Sequence, residues 1–221
     1  MFSDRKEYIY QVLYIDIFGD TITDEFMTLK PLNKRWLGQP RVQESIKYNF
    51  HTDTCEYKNF ISPNPTMCQI NENYYQKKRN YNLKKSEITG GLNSDSIYYL
   101  HPPRTNQYFM LRYAAFPLIY YGKMTDTTQS YTYDLGVGMG YHHKYVIKPF
   151  TTIIKDSIYE DKWEINAKST ITGLSDYWQN YPIFNSKTYF LFSKERGFLK
   201  IYIEFENGIK VNFNLVKINF L

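Results

Sequence analysis

The stretch Thr188-Tyr189-Phe190-Leu191-Phe192-Ser193-Lys194-Glu195-Arg196-Gly197-Phe198-Leu199-Lys200-Ile201-Tyr202-Ile203-Glu204-Phe205-Glu206-Asn207-Gly208-Ile209-Lys210-Val211-Asn212-Phe213-Asn214-Leu215 decides the fold. Apolar and polar residues alternate along most of it, and β-branched and aromatic side chains dominate. That is the signature of half-buried strands. Asn207-Gly208 marks a tight turn. A two-residue loop would set Phe205 against Lys210 and Ile203 against Asn212, mixing apolar and polar side chains on both faces. A three-residue loop, Glu206-Asn207-Gly208, pairs Phe205 with Ile209, Ile203 with Val211, Ile201 with Phe213 and Leu199 with Leu215. The other face then pairs Glu204 with Lys210 and Tyr202 with Asn212. A slip of one residue would turn the whole apolar set to solvent, so the three-residue register is expected. It requires a type I turn with Gly208 left-handed in a G1 bulge.

The same logic extends upstream. A four-residue loop, Lys194-Glu195-Arg196-Gly197, places Phe192 opposite Leu199 and Phe190 opposite Ile201. One apolar face then runs across three strands. Alternation fails near Val216, which predicts a bulge or a strand end there.

Working outward, residues 131–138, 141–154 and 162–172 also read as strands, as do residues 7–18, closed by Gly19-Asp20. Residues 41–50, 96–100 and 107–113 follow as plausible strands, and Pro117 makes residues 114–121 an edge or bent segment. Residues 122–130 read as a polar turn. Residues 25–40 are mixed, with Pro31 and Gly38-Gln39-Pro40 breaking any long helix. Residues 51–95, rich in Asn, Lys, Thr and Ser and ending near Gly90-Gly91, read as an irregular insertion or lobe. Short strands or one short helix near 70–80 fit there. The expected fold is mainly β: one domain over residues 1–221, an antiparallel meander forming a curved sheet, half-barrel or sandwich, with few short helices.

Composition supports sheet. Aromatic residues reach 19%, led by 23 Tyr and 15 Phe, and Tyr can bury its ring while its hydroxyl stays wet. The net charge of +5 is mild, and the densest basic run, Lys77-Lys78-Arg79, reads as a solvated loop. Nucleic-acid binding is therefore not expected. No stretch approaches the roughly 20 apolar residues of a membrane-spanning helix. Met1 to Lys6 lacks the apolar segment of a signal peptide. Two readings stay open: a cytoplasmic protein, or an exported one whose leader precedes this sequence. Cys55 and Cys68 fit either a disulfide, contributing about 3 kcal/mol by loop entropy, or two free thiols.

No catalytic constellation emerges. His51, His101, His142 and His143 have no partner at a metal-ligand spacing, and adjacent His142 and His143 point to opposite faces of a strand. Gly136-Val137-Gly138-Met139-Gly140 precedes a strand rather than a helix, so it reads as a bend and not as a phosphate loop. Asp156, Glu160, Asp161 and Glu164 read as a solvated turn. No metal, cofactor or catalytic residue is assigned, and an enzyme is not the expected reading. The candidate contacts for a ligand or partner are aromatic. Trp178 with Tyr177 and Tyr181 lies in a polar loop, Trp163 is in a strand, and His101-Pro102-Pro103-Arg104 forms a rigid corner.

Residues 162–169 (Lys162-Trp163-Glu164-Ile165-Asn166-Ala167-Lys168-Ser169), the run Tyr189-Phe190-Leu191-Phe192-Ser193-Lys194-Glu195-Arg196-Gly197-Phe198 and the element Phe116-Pro117-Leu118-Ile119-Tyr120-Tyr121-Gly122-Lys123 carry a resemblance. They look like uncharacterised envelope lipoproteins of Bacteroidetes-type bacteria, whose matching element has a second Pro that is missing here. The resemblance covers about the second half of the chain. It implies a lipocalin-like or half-barrel fold, export to the cell envelope and a lipid anchor. The expectation is thus a non-catalytic envelope protein that binds an apolar or glycan ligand, or a protein partner, on an aromatic-rich sheet. The alternative is an interaction or immunity-type subunit without a ligand cavity. A hydrolase ranks third.

Overall fold

The computed structural model describes residues 6–35, 44–50, 86–93, 97–100, 103, 111, 114–115, 118–120, 127–134, 140–154, 157–173, 184–193 and 195–221. The strands are β1 (Lys6–Ile15), β2 (Thr21–Arg35), β3 (Glu44–Phe50), β4 (Ser86–Asn93), β5 (Ile97–Leu100), β6 (Leu118–Tyr120), β7 (Thr127–Asp134), β8 (Gly140–Ile154), β9 (Ser157–Thr172), β10 (Ser186–Ser193), β11 (Gly197–Phe205) and β12 (Lys210–Phe220). Among the described residues these twelve strands form one antiparallel sheet, and there is no α-helix.

The strand order is β6-β5-β4-β3-β2-β1-β12-β11-β10-β9-β8-β7. It is a meander interrupted once, where the first strand pairs with the last from Lys6↔Phe220 to Ile15↔Lys210. The two edges, β6 and β7, are consecutive in sequence. Seven peptide units separate Tyr120 from Thr127 and reach at most about 27 Å. Twelve strands laid flat would span roughly 53 Å. The sheet therefore curls until its edges approach. Among the described residues no ladder joins β6 to β7, so hydrogen bonds do not close the curl into a barrel.

The curl separates an inner from an outer face. In β1, Tyr8, Tyr10, Val12 and Tyr14 are buried and alternate with half-buried residues. Phe190, Phe192, Ile201, Ile203, Phe205, Val211 and Phe213 continue the same inner face across β10 to β12. Leu111, Ala114 and Ala115, from the β5–β6 connection, belong to the same apolar cluster.

The C-terminal hairpin has the expected register. Ile201 faces Phe213, Ile203 faces Val211, and Glu204 faces Lys210. Phe205 N–H donates to Ile209 O at 2.9 Å, Gly208 N–H donates to Phe205 O at 2.9 Å, and Gly208 sits at φ 91°. A residue with a Cβ is disfavoured in that backbone region. The irregularity expected near Val216 is also present. Ile9 faces Lys217 while Tyr10 faces Leu215, leaving Val216 as the extra, 50% exposed residue of a bulge.

Four expectations need correction. Phe192 faces Phe198, not Leu199, because the register shifts between Leu191 and Phe192 and leaves Leu199 unpaired. The bulge brings the larger aromatic Phe198 into the core, 5.0 Å from the Phe192 ring. The ladder between β11 and β12 ends at Lys200 and Asn214, so Leu215 pairs with Tyr10 instead of Leu199. Residues 21–35 form a long strand although Asp24, Asn33 and Lys34 weaken its pattern; Pro31 is accommodated where the β2–β3 register shifts. Residues 127–130 and Glu160, Asp161 and Glu164, expected in polar turns, lie in β7 and β9 instead.

Candidate functional site

The inner face of β8 to β12 changes character along the strands. Near the chain termini it is aromatic. Trp163 packs on Phe192 at 6.3 Å between ring centroids, and Phe190 packs on Phe198 at 6.1 Å. Tyr10 Oη donates to Phe198 O at 2.9 Å, so the phenol remains satisfied in the core. Burial pushes the Tyr10 and Tyr14 hydroxyls well above their ordinary pKa, with Tyr8 adding at Tyr10.

Toward the end where residues 16–20 and 206–209 turn, the inner face becomes polar. His143 faces Ser169, Ser169 faces Ser186, and Thr188 lies one step inward opposite Ala167 and Ile203. All four are buried, as is Glu25 on β2. His143 lies between Tyr141 at 4.6 Å and Tyr145 at 6.2 Å between ring centroids. Burial, and then the charge of His142, lower the His143 pKa to about 4. The imidazole is therefore neutral at neutral pH. It packs between the two tyrosine rings beside Ser169 on the inner face.

The outer face of the same strands carries an accessible groove. In one row across the sheet Lys144 faces Lys168, Lys168 faces Lys187, Lys187 faces Glu204 and Glu204 faces Lys210. In the adjacent row Val146 faces Asn166, Asn166 faces Tyr189, Tyr189 faces Tyr202 and Tyr202 faces Asn212. Between the two rows lies a groove of about 460 Å³, lined by residues of both. A second hollow of about 390 Å³ shares Lys168 and Lys187 and runs on to Asn185, Glu206 and Gly208.

The wall of this groove is fixed by its own hydrogen bonds. Tyr189 Oη donates to Glu164 Oε1 at 2.9 Å. Burial, followed by that bond and the Glu164 charge, raises the Tyr189 pKa to about 12. Tyr202 is raised by burial and then by Glu204. Asn185 Nδ2 donates to Glu206 Oε2 at 2.9 Å, while Asn185 Oδ1 accepts from Ile171 N–H at 2.8 Å. Glu204 lies 4.0 Å from Lys210 Nζ. The two carboxylates of the second hollow are thus engaged, and neither is buried.

Of the residues selected from sequence, Trp163 is in the inner aromatic core at 5% exposure. Tyr177, Trp178, Tyr181, His101, Arg104, Cys55 and Cys68 lie outside the described residues. His142 and His143 point to opposite faces as expected, His142 Nδ1 lying 2.9 Å from Thr132 Oγ1 on the outer side. Among the described residues no group of three or more His, Cys, Asp or Glu could hold a metal ion, and no helix is long and apolar enough to cross a membrane. Sequence reasoning missed the outer lysine and tyrosine rows. The three lysines are 24 and 19 positions apart along the chain and the two tyrosines 13, and only the register brings them together.

No family model and no curated protein matches the chain. Among solved structures it is similar to a Bacteroides fragilis protein described as a "putative exported protein with YmcC-like fold". The TM-score is 0.42 and the identity 7%, over 99% of this chain and 97% of that one.

Proposed function

We propose that this chain is a non-catalytic glycan-binding protein of the bacterial cell envelope, with its binding groove on the outer face of β8 to β11. The observation that carries the reading is the Tyr189–Tyr202 pair, set directly opposite each other beside Asn166 in the groove of about 460 Å³. Flat aromatic rings give sugars an apolar platform, and amide and ammonium groups supply hydrogen bonds to hydroxyls. Because Glu164 holds the Tyr189 hydroxyl, little side-chain freedom is lost when a ligand docks. The envelope location rests on the resemblance of the second half of the sequence, and a lipid anchor belongs to that same expectation.

A glycan array probed with the full chain tests this reading. At least one glycan class should be retained, and the Tyr189→Ala/Tyr202→Ala double variant should bind it at least tenfold more weakly. An array with no bound glycan, or one bound equally by the variant, would remove the reading. A protein partner seated on the same groove is the alternative outcome.

A further inference from the structure

Resting on the glycan-binding reading, we propose that the groove selects an acidic glycan, a chain of carboxylate-bearing sugars laid across β8, β9 and β10. Lys144, Lys168 and Lys187 oppose one another directly across two ladders, and all three are exposed. Like charges set opposite on neighbouring strands destabilise a sheet. Packing alone would not select this arrangement.

Three lysines meet one carboxylate: Glu204 faces Lys187 on one side and Lys210 on the other, while Glu164 accepts from Tyr189 and Glu206 accepts from Asn185. Among the described residues no carboxylate forms an ion pair with any of the three lysines. An anion in the groove would relieve their mutual repulsion. The strand spacing roots the three side chains along roughly 10 Å. Separate ammonium groups on flexible stems suit charges distributed along a chain, whereas one compact phosphate is better gripped by the fork of an arginine. The tyrosine and asparagine row beside them is where the sugar rings would lie. The hollow that continues past Lys168 and Lys187 lengthens the track beyond a single sugar.

The test is isothermal titration calorimetry of the full chain with polygalacturonate oligomers, their methyl esters and neutral dextran oligomers. The acidic oligomers should bind, and their esters, which keep the backbone but lose the charge, should bind at least tenfold more weakly. Lys168→Gln should weaken acidic-oligomer binding about tenfold, a loss in the range of one charge-assisted contact. Lys217→Gln, an exposed lysine outside the groove with the same change in net charge, should leave it within about twofold. Equal losses in the two variants would reduce the effect to general charge attraction and overturn the proposal. Esters or dextran bound as well as the acid would overturn the acidic selectivity while leaving the glycan reading intact. Failure of every oligomer would overturn the acidic-glycan proposal, while the glycan reading itself stands or falls on the array. Phosphatidylglycerol vesicles bound in place of the oligomers, and lost in Lys168→Gln, would assign the row to a membrane surface and overturn the proposal.

Discussion

The inner and outer faces of β8 to β11 are built from the same strands, residue by alternate residue, yet they answer to different constraints. On the inner face Phe190, Phe192, Phe198 and Trp163 fill the core, and each is fixed by contact with the others. On the outer face Lys144, Lys168 and Lys187 stand opposite one another at a cost to the sheet. The first face is explained by burial. The second is what the proposed anionic ligand would explain.

The largest expected effect is on the inner face. Phe198→Ala should destabilise the protein by about 3–5 kcal/mol, because it opens a cavity in the aromatic core. Leu199→Ala, at the half-buried bulge position next to it, should cost less than about 1.5 kcal/mol. Urea unfolding of both variants separates them, and equal losses would show that the bulge does not divide the two faces as described.

An intermediate effect comes from His143. Its pKa in the folded protein is lowered to about 4 from an ordinary 6.5. Between those values the unfolded chain binds more protons, so stability must fall as the pH drops through this window. The loss should approach roughly 3 kcal/mol at its acid end. It should be absent in His143→Phe, and urea titrations at pH 7, 5.5 and 4.5 would reveal it. A flat wild-type profile would mean that the imidazole is not shielded.

The smallest effect has the opposite sign. Lys168→Glu places a carboxylate between Lys144 and Lys187 and should stabilise the free protein by about 0.2–1 kcal/mol. A destabilised variant in low salt would show that the lysine row is not in conflict with the fold.

The inner face was legible in the sequence because burial imposes a period of two that survives without knowledge of the partner strand. The Glu206-Asn207-Gly208 turn could be placed because only one register kept Ile201, Ile203, Val211 and Phe213 together. Leu199 was misassigned because a bulge adds a residue without leaving any mark in the alternation. β2 was hidden because Asp24 and Glu25 interrupt its pattern, although Glu25 is buried on the inner face. The polar inner residues did leave a trace: Ser186 and Thr188 share parity with Phe190 and Phe192. The groove left none, since the lysines that face each other come from three separate strands.

The pairing of β1 with β12 also governs how the molecule is made. Its contacts, such as Tyr8 with Ile218, join residues some 200 positions apart and enclose every other strand in the loop they close. Two half-sheets can zip by neighbouring hairpins, but their union must wait until almost all of the chain has emerged. Until then β1 offers an unfilled hydrogen-bonding edge, and folding should be slow and prone to association between nascent copies.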